Sequence, residues 1–212
     1  MTRAEWVVGI LIAFFITGAV LILLLIVPKG SGNLAPAEQA AIAPTPIFSG
    51  STSMQAYELA RESALQWQPD AVLLKATTTW PQGTSRENLM TGVTLWNLGF
   101  YSPGSGLVAN YSVVDGQVKL VNQHKLNQPL SPKQAENWRI DSSVAIYRLL
   151  DEGGDQFLND NGVSTLTMAL STANQSDRLE WLLSAFGVQS NKTLTMRLDA
   201  STGEVLESVQ SP

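Results

Sequence analysis

From Trp6 to Val27 the chain runs for 22 residues without a charge, and 16 of them are Val, Ile, Leu or Phe. As a helix this run is about 33 Å long, enough to cross a hydrocarbon core of about 30 Å. At roughly −0.3 to −0.6 kcal/mol per residue of this kind, insertion is favoured by about 5–10 kcal/mol, an upper bound because those values hold at the bilayer centre. A cleaved signal peptide has a shorter apolar region, about 7–15 residues, with a small-residue cleavage site directly after it. Here the A-x-A-like triplets, Ala35-Pro36-Ala37 and Ala41-Ile42-Ala43, lie well past the end of the run. The sequence therefore predicts a retained single-pass transmembrane helix, a signal-anchor, over 6–27 after a short arm at 1–5. Its partner is the lipid bilayer. Arg3 and the short arm favour an N-terminus on the cytoplasmic side, and no basic cluster follows Val27, which places the C-terminal region outside the cytoplasm. Gly9, Ala13 and Thr17 fall at spacing four, a small-residue stripe that lets a second membrane helix approach closely.

Residues 28–53 hold four Pro, three Gly, four Ser and two Thr, with only Lys29 and Glu38 charged. This composition reads as a flexible linker, which as a random coil spans about 30 Å. Beyond it the alternation of apolar residues defines the elements. Met54 to Trp67 reads as a helix capped by Ser53, with Ala56, Leu59, Ala60, Ala64 and Trp67 on one face. Strands follow at Ala71 to Trp80 and Val93 to Tyr101, separated by a loop from Gln82 to Met90. Leu107 to Val114 and Gln117 to His124 flank Asp115-Gly116, a two-residue hairpin signal. A second run of the same kind begins near 127. A short helix opens at Ser131-Pro132, and a longer one is capped by Asp141 and runs to Leu150 before Gly153-Gly154. Strands then follow at Val163 to Thr172, Leu179 to Gly187, Thr193 to Ala200 and Glu204 to Val209. Trp96 and Trp181 stand at matching places, each 18 or 19 residues before the Asp that closes its last hairpin. The fold class expected is α+β with an internal repeat: two α-β-β-β(β) units, 54–126 and 127–212, each a helix packed on its own antiparallel sheet.

The segment Thr193-Leu-Thr-Met-Arg-Leu-Asp199-Ala-Ser-Thr-Gly203-Glu-Val-Leu206 resembles the closing hairpin of PepSY-type domains, in which an alternating strand enters a D-A-x-T-G-x-V-like turn. Val113-Val-Asp115-Gly116-Gln-Val-Lys-Leu120 is a looser version of it. The resemblance implies a small extracytoplasmic, membrane-tethered module that regulates peptidases or binds in the cell envelope. It implies no catalytic residue.

Composition narrows the chemistry further. The net charge is −5 and no basic patch stands out, which disfavours nucleic acid as a partner. With no Cys and one His, thiolate metal sites, iron–sulfur clusters and cysteine nucleophiles are excluded, and no metal or cofactor is expected. His124 has no G-x-S-x-G partner motif and reads as a strand-end residue. Asp151-Glu152-Gly-Gly-Asp155 and Asn159-Asp160-Asn161-Gly162 are dense in oxygen ligands. With Gly162 as the turn glycine, however, the first and last calcium positions fall on Phe157 and Met168, so the loop pattern fails. Trp80, Trp96 and Trp181 alternate with Leu and Phe and read as core, whereas Trp67 and Trp138, near element ends, are candidates for exposed contacts. Thr165, Thr167, Thr193, Thr195 and Arg197 form a polar strand face suited to solvent or a protein partner.

Three functions compete on this basis. The first is a protein-binding module, either a regulator of an envelope peptidase or an accessory subunit of a membrane complex. The second is a tethered sensor or carrier of a small ligand held between the two units. The third is a hydrolase using carboxylates such as Glu180 or Asp199, which the dispersed placement of the acids disfavours because such acids are ordinarily solvated. No enzymatic activity is expected.

Overall fold

Thr52 starts the first helix, α1 (Ser53–Trp67), through a capping box. Its hydroxyl accepts from Gln55 N at 3.4 Å while the Gln55 side chain accepts from Thr52 N at 3.1 Å. The cap falls one residue earlier than expected because the Ser53 hydroxyl is engaged elsewhere, as a donor to Asp141. The computed structural model describes residues 51–80, 85–92, 95–128, 130, 135–161, 164–172 and 178–211. Along α1, Ala56, Ala60 and Ala64 are fully buried. Three alanines at spacing four make a flat stripe that lets the helix lie close against a sheet. Leu59, expected on that face, is exposed instead.

The strands fall on the alternating segments: β1 (Val72–Trp80), β2 (Leu95–Ser102), β3 (Leu107–Val114), β4 (Gln117–Lys125), β5 (Ser164–Thr172), β6 (Leu179–Gly187), β7 (Lys192–Asp199) and β8 (Val205–Ser211). Between β1 and β2, where a plain loop was expected, a short helix α2 (Arg86–Thr91) is capped by Ser85 and buries Leu89. After a 3-10 turn at Ala135–Asn137, Asp141 caps α3 (Ser142–Leu149). A wide turn at Leu150–Gly154 follows, broken by Glu152 and by Gly153 at φ 100°, and leads into α4 (Asp155–Asn161). The β3–β4 hairpin turns on Asp115 (φ 49°) and Gly116 (φ 77°), the two left-handed residues that a type I′ turn requires.

The expected pair of separate sheets is corrected by the pairing. All eight strands belong to one antiparallel sheet in the order β4-β3-β2-β1-β5-β6-β7-β8. β1 and β5, each the first strand of an expected unit, pair with one another from Lys75↔Ser171 to Trp80↔Leu166. Two sheets would leave both strands as open edges, with rows of unpaired backbone donors and acceptors. Pairing them removes both edges and brings the apolar faces together into a single core. Within that core Trp96 of β2 meets Trp181 of β6 edge-on, ring centres 6.4 Å apart, across the β1–β5 seam.

The expected transmembrane helix is likewise without support. Among the described residues no helix is long and apolar enough to cross a membrane. Its segment, 6–27, with the stripe Gly9, Ala13 and Thr17, lies outside the described residues, as do the linker up to residue 50 and the helix opening at Ser131-Pro132.

Helices cover one face of the sheet. α1 lies against β2, β3 and β4, while α3 and α4 lie against β6, and α2 packs on α3. The N-termini of α1 and α3 meet at one carboxylate. Asp141 Oδ1 accepts from Ser142 N at 2.7 Å, from Met54 N at 3.1 Å and from Ser53 Oγ at 2.6 Å. Ser53 N in turn donates to Ser142 Oγ at 3.0 Å. One negative charge thus satisfies orphan amides of two helices and sits where both dipoles favour an anion.

Candidate protein-binding face

The strand period puts successive side chains on opposite faces. On the helix-covered face stand Ala76, Thr78, Trp80, Trp96, Leu98, Phe100, Leu166, Met168, Leu170, Trp181, Leu183, Leu194 and Met196, all buried. The other face carries Lys75, Thr77 and Thr79 on β1, Asn97 on β2, Asn110 and Ser112 on β3, Thr165 and Thr167 on β5, Ser184 on β6, and Thr193 and Thr195 on β7. Each of these is exposed or half-exposed. In register, Thr79 stands opposite Thr167, Thr167 opposite Ser184, and Ser184 opposite Thr195, so hydroxyls form a row across four strands. The Thr165, Thr167, Thr193 and Thr195 set expected from sequence therefore lies on this face, and β1 extends it.

Four exposed apolar side chains interrupt the polar face, which also carries the half-buried Leu182 and, at one end, the buried Tyr101 and Val108. Leu95 stands directly opposite Val114, Phe186 between Thr165 and Thr193, and Val209 opposite Thr195. All four are exposed, at 40–45% of their surface. Leu95, Val114 and Phe186 escaped the sequence reading because each lies out of phase with the buried alternation, and that phase error is itself the signal that could have found them; Val209 lies on a strand with no buried residue to set a phase. An apolar residue next to a core residue on a strand must point the other way.

One end of the face is charged. Arg197 of β7 donates to Glu180 Oε2 of β6 through Nε at 3.1 Å and Nη2 at 2.7 Å, and to Glu207 Oε2 of β8 through Nη1 at 3.2 Å. The hydrogen bond to Glu180, followed by the charges of Glu180 and Glu207, holds the guanidinium pKa above its ordinary value. Asp199 accepts from Ser201 N at 2.8 Å and Thr202 N at 3.0 Å, and Arg178 lies 3.6 Å from its other oxygen. These amides, with Gly203 at φ 79°, form the tight turn that joins β7 to β8. Glu180 and Asp199 are only 8% and 7% exposed, so the expectation of solvated acids is corrected.

The aromatic candidates separate. Trp67 is half-buried at the end of α1, and its Nε1 donates to Gln123 of β4 at 3.0 Å. Trp138, expected as an exposed contact, is 8% exposed and belongs to the core. Its ring meets Trp181 at 5.8 Å and Tyr57 at 5.6 Å, and Tyr57 stacks on Phe100 at 6.1 Å. Both Trp138 Nε1 and Trp181 Nε1 donate to the carbonyl of Ile140 at 2.8 Å, while Trp96 Nε1 donates to Ser51 O at 3.1 Å. Buried indoles ordinarily take such acceptors, but Trp80 Nε1 is buried with none among the described residues. Trp138 is thus drawn inward by the carbonyl two residues along its own chain. Trp80, Trp96 and Trp181 are buried, as their alternation predicts.

The remaining candidates carry no constellation. His124 is exposed on β4, at the rim of the sheet. Asp155 is ion-paired with Arg86, and Asn161 Nδ2 donates to Phe157 O at 2.8 Å, so these two residues serve packing, while Asp151, Glu152, Asn159 and Asp160 are exposed. Among the described residues no group of three or more His, Cys, Asp or Glu is placed to hold a metal ion. The place where a ligand cleft between two units was expected is occupied by the β1–β5 ladder and by the Trp96–Trp181 contact.

No family model matches the chain. No curated protein matches it either. The PepSY resemblance is therefore not confirmed and rests on the residues of the β7–β8 hairpin and its looser version in the β3–β4 hairpin. Among solved structures, the fold is similar to that of a protein from Clostridium difficile 630 provisionally described as a lipoprotein. The two share 11% sequence identity at a TM-score of 0.48, over 74% of this chain and 93% of that one.

Proposed function

We propose that the domain is a protein-binding module that works outside the cytoplasm at a membrane, and that its docking surface is the open face of the sheet. The observation that carries this reading is the asymmetry of the sheet, with helices packed on one face and, on the other, a broad, hydroxyl-lined surface with four exposed apolar insertions, covered only at the Tyr101–Val108 end. Eight strands about 4.8 Å apart and about 27 Å long give that side roughly 900 Å², and without the covered end at Tyr101 and Val108 it is still of the order of the 800 Å² per partner of an ordinary stable interface. Mixed polar and apolar character of this kind suits a folded protein surface better than a small ligand, which requires a concave site. The partner in this reading is a neighbouring membrane subunit or an envelope peptidase held in check. The apolar run at 6–27 supports the membrane association.

The test is affinity capture of the full-length protein from its own membranes in mild detergent, followed by measurement of mass and composition. A stoichiometric companion that is lost at least tenfold from the Thr167→Arg/Thr195→Arg variant is the expected result. A protein recovered alone, or a companion retained equally by that variant, overturns the reading.

A further inference from the structure

The two rim strands of the sheet carry opposite charge. β4 holds Lys119 and Lys125 and no acid, whereas β8 holds Glu207, with Glu204 just before it, and no base. Both strands are exposed along most of their length, and among the described residues neither pairs with a further strand at its outer side.

Strand direction matters here. Every neighbouring pair in the sheet is antiparallel, and the number of strands is even, so β4 and β8 run in opposite directions. A second copy set beside the first in the same orientation brings its β4 antiparallel to β8, and the alternation continues unbroken.

Register then selects one arrangement. With Lys119 of the second copy opposite Glu207, Val118 falls opposite Ser208 and Gln117 opposite Val209. Val118 packs against the core, and Ser208 is paired with the core residue Met196, so both belong to the helix-covered side. Lys119 and Glu207 both belong to the open side, the latter through its bond to Arg197. Faces therefore match, which a shift of one residue would destroy. The charges also alternate: the row Glu180, Arg197, Glu207 continues into a lysine. Pairing β8 with β8 or β4 with β4 would instead bring edges of like charge together.

We propose that copies of this chain associate head to tail, β8 of one with β4 of the next, through an added antiparallel ladder registered by Glu207 and Lys119. The contact uses different surfaces on the two copies and does not close on itself, so it builds rows rather than a dimer. It is distinct from the open-face partner proposed above and stands without it. Because the charges are exposed, the association weakens as salt rises.

The absence of Cys in the chain allows a clean test. Full-length Gln117→Cys and Val209→Cys proteins are prepared separately in mild detergent, then oxidised alone and as a mixture. Residues opposite one another in an antiparallel pair have Cβ atoms about 4.5–5.5 Å apart, near enough for a disulfide after small adjustment. The expected result is a cross-linked heterodimer in the mixture and only there. Adding Lys119→Glu to the Gln117→Cys chain should lower its yield about fivefold, while Lys119→Arg should leave it unchanged. No cross-link in the mixture, or equal cross-linking of either variant alone, overturns the proposal.

Discussion

Asp141 is the point at which two helices depend on one atom, and its removal can be costed. In Asp141→Ala, Ser142 N loses an acceptor at 2.7 Å, Met54 N one at 3.1 Å and Ser53 Oγ one at 2.6 Å. A lost N-cap costs about 0.5–2 kcal/mol, and a hydrogen bond to a charged group contributes about 1.5–3 kcal/mol. Ser142 and Ser53 can still exchange bonds with one another, which limits the loss. The sum expected is about 3 kcal/mol. In the compact unit 44–212 this corresponds to a fall in Tm of about 6–12 °C. Asp141→Asn keeps an acceptor oxygen in the same place and should cost about 1 kcal/mol. Urea denaturation followed by circular dichroism gives both values, provided the slope with denaturant stays constant. A further check is coupling: Ser53→Ala should cost less in the Asp141→Ala background than in the parent, because the two share the bond. Loss of under 1 kcal/mol in Asp141→Ala, or equal loss in Asp141→Asn, would refute the shared-cap argument.

Other outcomes follow from single contacts. Arg197→Met leaves the buried Glu180 carboxylate without its partner and should cost about 2 kcal/mol by the same assay, with most of it recovered in Arg197→Met/Glu180→Gln. Trp138→Ala empties a core site between Tyr57 and Trp181 and should cost about 3–5 kcal/mol, whereas Trp138→Phe keeps the ring contacts and leaves Ile140 O to Trp181, at a smaller cost. Gly154→Ala places a Cβ 2.5 Å from the Leu149 carbonyl oxygen, so it should destabilise by about 1–3 kcal/mol, measured as a lower denaturation midpoint. The Asp70 carboxyl is held below its ordinary pKa by bonds from Ser102 Oγ and then Gly104 N. A lowered folded pKa contributes stability above the unfolded pKa and loses it as pH falls through the folded one. Denaturation midpoints measured below pH 4 should therefore fall less steeply with acid in Asp70→Asn than in the parent.

Much of the local structure was legible because each strand shows its two faces in its own alternation, and Asp115-Gly116 and Asp141 carry turn and cap chemistry within a few residues. The joining of the halves was not legible. Alternation says which face of β1 or β5 is buried and nothing about which edge finds a neighbour, so two sheets and one sheet read alike. The same limit hid the ion pairs, since Glu180 meets Arg197 diagonally across a strand pair whose register only the fold supplies. Trp138 was misjudged because its burial depends on the return of 135–140 over the core, where the Ile140 carbonyl accepts from two indoles. Of the docking face, the threonines on β5 and β7 were visible from period two. Their continuation across β1 and the four apolar insertions became apparent only once the strands were laid side by side.

The β1–β5 seam also governs the order in which this protein can be made. β1 leaves the ribosome long before β5, and Trp80 must wait for Leu166 before its edge is closed. Closing a loop of that length costs roughly 4 kcal/mol of chain entropy, recovered only when the whole ladder forms. During that interval the first four strands have β1 as a bare edge, and Trp96 lacks the Trp181 ring that later covers it. Newly made chains are thus most prone to pair with one another midway through synthesis. A ribosome stalled before residue 164 should display a nascent chain that is bound by chaperones and cut by proteases, and both sensitivities should fall together once β5 and β6 have emerged.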